Sequence, residues 1–365
     1  MSAHQGGWSD LLARVGGGTA AGTTVYVVGA TDTGKTTLSH RLLSAAGSAG
    51  GSAAGSAAAG EPSWYLDCDP GQSVVGPPTT LGLARVYGTG GGDGTAGTGD
   101  TGASGTGDGP SVAGGVPAGA SAAEAGPALS APRFETVALS FVGSTSPARH
   151  LLQTVCAVAR LVDEAPPSGL LVCDSSGFVS GRGAGAFQYN LISLVRPDIV
   201  VALEADAELR NTLAPFDGAP DIEVRYMSRD EACRSKSRAA RADYRNRLFS
   251  RYFAGATQQR LDLSRTSLHG MGPDARGTSA AAAPASASAV GAGASAAPPP
   301  AAWRNRVCAL LDGRQLVVAL GIVLRAEIEE LEILAPPVDR ERIVSVQLGS
   351  HKLFPEDLTY QTPPE

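Results

Sequence analysis

Hydrophobic residues along the chain are concentrated in short continuous runs. The clearest of these runs span residues 24–28, 63–67, 135–142, 170–173 and 198–203. Runs of this length are typical of strands that are buried on both faces of a parallel sheet. Segments with helical spacing separate several of them, and strands that alternate with helices indicate a doubly wound α/β domain with a mainly parallel sheet.

Three segments are predicted to be helical. Residues 36–43 follow the first strand and a glycine-rich loop, and residues 228–253 form one long arginine-rich helix or a pair of helices. A further helix should begin at Ser146, as its N-cap, with Pro147 in the first helical position, and run to about residue 162. Its expected buried face consists of Leu151, Leu152, Val155, Val158 and Leu161.

Stretches rich in small residues interrupt this pattern at about residues 46–60, 88–132 and 270–302. Such sequences cannot bury enough apolar surface to offset the entropy of ordering, so they are predicted to be insertions and linkers. Residues 304–354 show strand patterns again, around a hairpin signal at Asp312 and Gly313. The predicted division is an N-terminal segment (1–21), an α/β domain (22–260), a linker (261–302), a small β domain (303–356) and a tail (357–365).

The charge of the chain limits its partners. The net charge is −6, and lysine is almost absent, since only Lys35, Lys236 and Lys352 occur. Non-specific coating of nucleic acid needs many cationic contacts with phosphate, so this composition argues against it. Any nucleic-acid site must therefore be local.

The cysteines and the hydropathy of the sequence indicate the cellular compartment of the protein. The five cysteines show no C-x-x-C pair and no metal-ligand spacing, and we expect free thiols. No apolar run approaches the roughly 20 residues that cross a bilayer, and no signal sequence is visible. The sequence therefore predicts a cytoplasmic protein without a membrane partner.

The strongest chemical signal is residues 29–36, Gly-Ala-Thr-Asp-Thr-Gly-Lys-Thr, which match the G-x-x-x-x-G-K-[ST] phosphate loop. A strand precedes the motif and a helix follows it, the context in which backbone N–H groups surround phosphates at a helix N-terminus. Lys35 should reach the β- and γ-phosphates of ATP, and the Thr36 hydroxyl should bind Mg²⁺. The expected ATP-binding residues are Gly29, Ala30, Thr31, Asp32, Thr33, Gly34, Lys35, Thr36 and Thr37. The motif predicts a P-loop NTPase that uses ATP and Mg²⁺.

Acidic residues follow the second strand in residues 67–72, Asp-Cys-Asp-Pro-Gly-Gln. P-loop proteins present carboxylates at this place to the metal and to the attacking nucleophile. Asp67 and Asp69 are predicted to serve the metal, Asp69 is also the candidate general base, and Gln72 is assigned to substrate binding. A turn that merely ends the strand describes the same backbone equally well.

Arginines are frequent in the predicted helix at residues 228–253. Arg234, Arg238, Arg241 and Arg245 are spaced by four, three and four residues, which places them on one helical face. Guanidinium groups suit the charge of a phosphoryl group in transfer, so Arg234 and Arg238 are candidate catalytic residues and Arg241 is a candidate substrate ligand. A solvated basic face is the alternative explanation.

Two further loops follow predicted strands and should lie at the same carboxyl edge of the sheet. Residues 143–147 read Gly-Ser-Thr-Ser-Pro, and residues 174–178 read Asp-Ser-Ser-Gly-Phe. The aromatic Phe178 is either a stacking platform for a nucleobase or a core residue.

Taken in order, these motifs resemble those of the polynucleotide 5′-hydroxyl kinase family, the RNA kinases of tRNA splicing, messenger 3′-end processing and ribosomal RNA maturation. The family's phosphate loop, Gly-x-Thr-Asp-x-Gly-Lys-[Ser/Thr]-Thr, is similar to residues 29–37, and its acidic-x-Asp-x-Gly-Gln motif is similar to residues 67–72. Its Gly-Ser-Thr-x-Pro clasp resembles residues 143–147. Its Arg-Ser-x-x-x-Arg lid before a Tyr-Phe pair resembles residues 234–253.

The resemblance implies transfer of the γ-phosphate of ATP, with Mg²⁺, to the 5′-hydroxyl end of RNA or DNA. It places Thr145 and Ser146 in the clasp that holds the nucleic-acid end. Where the family has Gly-Trp near the terminal base, this chain has Gly177 and Phe178. Only about twenty residues precede the first strand, so a form without the N-terminal β domain of many relatives is expected.

Two other functions fit the same motifs. One is a nucleotide-switch ATPase or GTPase whose hydrolysis drives a partner, and the other is a non-catalytic ATP-binding scaffold in an RNA-processing complex. No Asn-Lys-x-Asp guanine-recognition motif is visible in the sequence, which weakens the GTPase version. The loop lysine, the following threonine and both aspartates favour an active enzyme. The sequence does not identify a protein partner.

Overall fold

The computed structural model describes residues 7–16, 22–49, 62–87, 132–230, 233–270, 303–327, 329–356, 358 and 360–361. Most of the predicted low-complexity stretches, at 46–60, 88–132 and 270–302, therefore lie outside the described residues, as does most of the predicted tail at 357–365. Two seven-stranded sheets form the framework of the described part.

The first sheet has the strand order β4-β3-β2-β5-β1-β6-β7. Its strands are β1 (Thr24–Gly29), β2 (Ser63–Cys68), β3 (Thr80–Tyr87), β4 (Arg133–Phe141), β5 (Leu171–Ser175), β6 (Ile199–Leu203) and β7 (Glu223–Met227). The strands from β2 to β7 in this order run parallel, whereas β3 pairs antiparallel with β2 and with β4. All five predicted apolar runs are strands of this sheet, which confirms the α/β fold class. Strands β3 and β7 were not predicted.

Helices cover both faces of the first sheet, which explains its continuous apolar strands. They are α1 (Trp8–Gly16), α2 (Lys35–Ala49), α3 (Leu151–Glu164), α4 (Ala184–Val195) and α5 (Ala207–Leu213). The last helix, α6 (Arg238–Tyr252), packs instead between the first sheet and the second. Leu11 of α1 and Leu38 of α2 are buried on one face, and Val158 of α3, Phe187 of α4 and Leu209 of α5 on the other. Among the described residues, no helix has both the length and the apolar character to cross a membrane.

Two helix predictions need correction near their ends. Helix α2 continues to Ala49, so the predicted insertion at 46–60 begins inside a helix. Ser146 does cap a helical turn, but this is the short 3-10 turn Pro147–Arg149, and α3 follows it. Leu152 was expected to be buried and is 78% exposed, because the helix turns other residues towards the sheet.

The arginine-rich helix is shorter than the predicted span 228–253. Helix α6 begins at Arg238, where Ser237 is the N-cap and its hydroxyl accepts the N–H of Ala240 at 3.1 Å. This cap satisfies a backbone donor that the first turn of a helix leaves without a partner. Arg234 therefore lies in the preceding loop, and the predicted row of four arginines on one helical face is wrong at this position.

The second sheet is antiparallel except for one pair, in which β9 runs parallel to β13. Its strands are β8 (Thr257–Asp262), β9 (Ser267–Gly270), β10 (Arg306–Leu311), β11 (Val317–Ala326), β12 (Glu330–Ala335), β13 (Ser345–Leu353) and β14 (Tyr360–Gln361). The hairpin predicted at Asp312 and Gly313 joins β10 to β11. However, β8 pairs along β12 and β9 along β13, so the predicted division at 260/261 is corrected: 257–270 belong to the β domain.

The two sheets share a buried core. Phe141 from β4 and Phe249 from α6 pack with Val307 and Leu320 of the second sheet. This packing brings β13 beside the loop that follows β4, where the N–H of Ser350 donates to a backbone carbonyl of that loop at 2.8 Å. The second sheet therefore borders the carboxyl edge of the first.

Candidate active site

The phosphate loop connects β1 to α2 and is held by its own side chains. The Thr33 hydroxyl donates to the carbonyl of Ala30 at 2.8 Å, and the Nζ of Lys35 donates to the same carbonyl at 2.9 Å. Lys35 is only 8% exposed. The predicted ATP-binding residues thus form one compact turn at the N-terminus of a helix, the arrangement that binds phosphate.

A carboxylate that sequence reasoning did not assign lies beside this loop. Asp174, at the end of β5, accepts hydrogen bonds from the Thr36 hydroxyl at 2.6 Å and from the Tyr65 hydroxyl at 2.9 Å. Both bonds end on Oδ2, and the buried Oδ1 has no hydrogen-bond partner among the described residues. The signal was present in the sequence, because Asp174 follows a continuous apolar strand just as Asp67 does.

Burial and charge act against each other on Lys35. Burial lowers the pKa of the Lys35 amine, while the negative charges of Asp174, Asp69 and Asp32 raise it. Burial also raises the pKa of Asp174, and the positive charge of Lys35 opposes this effect. The negative charges of three carboxylates, Asp69 among them, therefore act on the Lys35 amine.

The loop after β2 uses its carboxylates on its own backbone. Asp67 is buried, and its Oδ2 accepts from the Ser73 hydroxyl at 3.0 Å and from the N–H groups of Val74 and Val75. Burial raises the pKa of Asp67 to about 7, although the N–H of Val74 favours the charged form. These bonds make Asp67 the anchor of its loop, and they give it no contact with Thr36.

Asp69 is held differently. Its Oδ1 accepts the N–H groups of Gly71 at 2.8 Å and Gln72 at 3.1 Å, which orients the carboxylate. Asp69 is only partly buried, so it can meet an incoming group. Gln72, predicted to bind substrate, is also partly buried in the same turn.

The residues present fit a magnesium ion that is shared with phosphates. Mg²⁺ in nucleotide sites takes one or two protein oxygens, phosphate oxygens and waters. The Thr36 hydroxyl and the buried, unpartnered Oδ1 of Asp174 supply such oxygens. Within the described residues, no group of three or more histidine, cysteine or acidic side chains is arranged to hold a metal without such help. Asp174 is thus placed where the sequence predicted Asp67 to act.

The loop after β5 lies directly against the phosphate loop. A Cβ on Gly177 would come within 2.3 Å of the Thr31 hydroxyl, so only glycine allows this approach. Phe178 is partly buried, and its ring centroid lies 5.8 Å from that of Phe187 on α4. Phe178 therefore packs partly into the core, and its role as a stacking platform stays a prediction.

The clasp residues meet both the acidic loop and the second sheet. A Cβ on Gly71 would lie 2.3 Å from the backbone oxygen of Thr145. The Thr145 hydroxyl is 3.0 Å from Nε2 of His351, a buried residue on β13. Ser146 is exposed and caps the 3-10 turn. Sequence reasoning missed His351, because no local pattern links β13 to the clasp.

His351 lies in a basic environment. Burial lowers the pKa of His351 to about 4, and the positive charges of His150, Arg245 and Arg149 act in the same direction. Nε2 of His150 in turn lies 3.0 Å from the Ser350 hydroxyl. The clasp is thus flanked by cationic groups from the 3-10 turn and from α6, which suits the phosphates of a nucleic acid.

Helix α6 and the loop before it contact the phosphate loop through Asp32. Asp32 accepts the N–H of Lys236 at 3.2 Å and forms an ion pair with Arg241. The Tyr244 hydroxyl donates to the carbonyl of Ser73 at 3.0 Å, which joins α6 to the acidic loop as well. Arg241 is therefore paired with the phosphate loop in this structure, and its contact with substrate stays a prediction.

The two arginines predicted to be catalytic are at the surface. Arg234 lies in the loop before α6 and Arg238 in its first turn, and both are exposed. Neither position contradicts a contact with bound phosphate, and their catalytic role stays a prediction.

Comparison with known proteins shows where this arrangement occurs. A family model described as the P-loop of mRNA cleavage and polyadenylation factor CLP1 matches residues 29–90 and 115–255, which is more than half of the chain. The polyribonucleotide 5′-hydroxyl-kinase of Methanocaldococcus jannaschii is 33% identical over 114 residues, which cover 31% of this chain and 31% of the relative. That of Pyrococcus horikoshii is 26% identical over 231 residues, which cover 63% and 49%. The chain thus spans about half or less of these relatives.

Solved structures support the same fold. The structure of a wild-type Clp1p–Pcf11p complex matches with a TM-score of 0.57 and 13% identity, over 94% of this chain and 77% of that chain. A second structure, of an extended interface between Pcf11p and Clp1p, matches with a TM-score of 0.57 and 13% identity, over 94% and 78%. The α/β P-loop fold with a C-terminal β domain is therefore confirmed.

Proposed function

This chain belongs to the CLP1 P-loop family, and from that premise we propose that it transfers the γ-phosphate of ATP to the 5′-hydroxyl end of RNA. The observation that carries the proposal is the contact of the phosphate loop, which contains Lys35, with Asp174 through the Thr36 hydroxyl, next to the loop of Asp69 that follows the neighbouring strand. In this proposal Lys35 binds phosphate, Asp174 serves the metal and Asp69 serves the acceptor hydroxyl. The names of two curated relatives support RNA as the acceptor.

The chain's own residues bind the triphosphate in this proposal. Backbone N–H groups of residues 29–37 surround the phosphates, and the Lys35 amine exchanges its bond to the Ala30 carbonyl for phosphate oxygens. Burial lowers the pKa of the Lys35 amine, and the negative charges of Asp174, Asp69 and Asp32 act against this and favour the charged form that the role uses.

Thr36 and Asp174 would hold a magnesium ion. The chemistry that such an ion would supply is positive charge to neutralise the negative charge of a phosphoryl group in transfer. The hydrogen bond from Thr36 to Asp174 orients both oxygens before nucleotide arrives.

Asp69 is the proposed base. Two backbone N–H groups hold its Oδ1, which leaves Oδ2 to accept the proton of the 5′-hydroxyl as that oxygen attacks the γ-phosphorus. The bond from the γ-phosphorus to the β,γ-bridging oxygen breaks, and ADP leaves. Because phosphoryl transfer depends mainly on positioning and electrostatics, the rigid loop after β2 contributes by fixing this carboxylate.

The nucleic-acid end is proposed to enter between the clasp and Phe178. Thr145 is held by His351 from the second sheet, and cationic groups around His351 face the same region. Ser146, Gln72 and Arg241 are proposed to contact the acceptor strand. Arg234 and Arg238 are proposed to neutralise charge on the phosphoryl group in transfer. A cytoplasmic location stays a prediction from the sequence.

The test is label transfer from γ-labelled ATP with Mg²⁺ to matched RNA and DNA oligonucleotides. Oligonucleotides with a 5′-hydroxyl should be labelled, and the same oligonucleotides with a 5′-phosphate should not. Asp69→Asn should slow transfer by roughly 10²- to 10⁴-fold, the usual contribution of a general base. The exposed Asp163→Asn on α3 is the matched control.

Lys35→Ala should abolish both ATP binding and transfer. Release of inorganic phosphate without labelling of any 5′-hydroxyl end would support the switch ATPase instead. Tight ATP binding without any turnover would support the scaffold.

A further inference from the structure

The order of the strands separates the two ends of a bound nucleotide. The phosphate loop follows β1, the central strand, with β5 and β2 on one side and β6 and β7 on the other. The proposed acceptor and metal carboxylates, Asp69 and Asp174, all belong to the β5 and β2 side. If the γ-phosphate points to that side, the nucleoside end must leave towards β6 and β7.

A cavity of about 510 Å³ lies on that side. It is bordered by residues that directly follow β6 and β7, among them Glu204 and Ser228, and by Trp8 of α1. In open α/β sheets ligands bind outside the carboxyl ends of the strands, and small-molecule sites measure about 300–1,000 Å³. The cavity therefore has the position and the size for a nucleoside.

Trp8 links this cavity to the phosphate loop. A Cβ on Gly34 would lie 3.5 Å from Cη2 of the indole, so the ring stands next to the loop. The indole N–H donates to the carbonyl of Ser228 at 3.0 Å, which fixes the ring against the loop after β7. The guanidinium of Arg41, from α2, lies 5.1 Å from the ring centroid. The tryptophan is thus held in one orientation by three elements.

Other residues that line the cavity also present flat groups with polar edges. The guanidinium of Arg210 lies 4.3 Å from the ring centroid of Tyr226, and its Nε donates to the Ala205 carbonyl at 3.1 Å. Glu204 adopts a positive φ of 50°, unusual for this residue type, and its carboxylate accepts the N–H of Arg229 at 2.8 Å. Flat surfaces suit the faces of a heterocycle, and the carboxylate suits its N–H donors.

We propose that this cavity binds the nucleobase of the nucleotide whose phosphates occupy residues 29–37, and that Trp8 is its stacking wall. The inference rests on the proposed function only in that residues 29–37 bind a nucleoside triphosphate. Helix α1 then has two roles. It packs on α2, and it supplies an aromatic wall to the nucleotide site.

Calorimetric titration with two probes separates the base from the phosphates: ATP, and inorganic tripolyphosphate, which has no base. Wild-type protein should bind ATP more tightly than tripolyphosphate. Trp8→Ala should weaken ATP binding by roughly tenfold or more, as loss of a base-stacking aromatic does, and leave tripolyphosphate binding unchanged. Trp8→Phe keeps a stacking face and should retain most of the affinity for ATP.

Tyr189→Ala, which removes an exposed aromatic from α4, is the control and should change neither affinity. Unchanged ATP binding by Trp8→Ala would overturn the proposal. So would an equal loss for both probes, since Trp8 would then only support the phosphate loop, or a wild-type protein that binds neither probe. Normal base-dependent binding without label transfer to any oligonucleotide would uphold the cavity assignment and contradict the proposed kinase activity alone.

Discussion

The loops after β2 and β5 both follow a strand that ends in a buried aspartate, but the two aspartates accept hydrogen bonds from different parts of the molecule. Asp67 and Asp174 are paired in register on neighbouring parallel strands, and both are buried carboxylates at a strand end. Asp67 accepts hydrogen bonds from the hydroxyl and N–H groups of its own loop. Asp174 instead receives the Thr36 hydroxyl and keeps one oxygen without a partner among the described residues.

The position of an acidic residue at the end of a strand therefore does not decide its role. The donors that reach the carboxylate decide it, because a carboxylate saturated by backbone N–H groups has little capacity left for a metal. The loop after β2 orients Asp69, while the loop after β5 lies against the phosphate loop.

Of the two paired carboxylates, Asp174 should matter more for catalysis, and Asp174→Asn tests this. Loss of the charge beside Thr36 should lower kcat for label transfer by about 100-fold or more, in line with the removal of one preorganised charge-stabilising group. Binding of ATP without Mg²⁺ should change little. Near-normal kcat in Asp174→Asn, measured beside the Asp163→Asn control, would mean that the metal is held elsewhere.

Asp67→Asn should act on stability more than on chemistry. An amide at this position turns a donor towards N–H groups, so the free energy of unfolding should fall by about 1–3 kcal/mol. Urea denaturation measures the loss, and kcat at a temperature where the variant is folded should fall far less than for Asp174→Asn. The opposite ranking of the two variants would reverse the assignment of the two loops.

Two glycines, one in each loop, allow the roles of the loops to be separated. Gly177→Ala would push the loop after β5 into Thr31, so KM for ATP should rise by roughly tenfold while KM for the oligonucleotide changes less. Gly71→Ala would push the loop after β2 into the Thr145 carbonyl and should mainly raise KM for the oligonucleotide. Steady-state kinetics with each substrate varied in turn would detect this exchange, and identical effects of both variants would remove the distinction.

The effect at the clasp appears only at acidic pH. The pKa of His351, about 4, lies below its ordinary value of 6.5, so the neutral ring stabilises the fold above pH 6.5 and this contribution is lost as pH falls towards 4. Over that window the wild type should lose up to about 3 kcal/mol more unfolding free energy than His351→Gln. His269→Gln, at an exposed position on β9, should follow the wild type. A wild type that also parallels His351→Gln would contradict the buried neutral state.

Much of the first sheet could be predicted because its signals are local. Continuous apolar runs identify β1 and β5, and a glycine loop between strand and helix identifies the phosphate site. Strand β3 escaped prediction because it follows the Pro77 and Pro78 turn and pairs antiparallel at the margin of a mostly parallel sheet. Helix α6 was extended too far because the cap at Ser237 lies within a polar stretch without hydrophobic periodicity.

The parts of the site that were missed depend on contacts between distant segments. His351 reaches Thr145 across 206 positions of sequence, and Trp8 reaches Ser228 across 220. No spacing rule connects such residues, since only packing of the second sheet and of α1 brings them together. Asp174 could have been assigned from its place after an apolar strand, but its choice over Asp67 needed the observed donors.

The central claim is that acceptor and metal lie on the β2 and β5 side of the phosphate loop. A crystal structure with Mg²⁺, a non-hydrolysable ATP analogue and a 5′-hydroxyl dinucleotide tests it most directly. We predict the metal beside Thr36 and Asp174 and the terminal hydroxyl within hydrogen-bond distance of Asp69. A metal bound by Asp67 without Asp174, or a dinucleotide on the β6 and β7 side, would contradict the account.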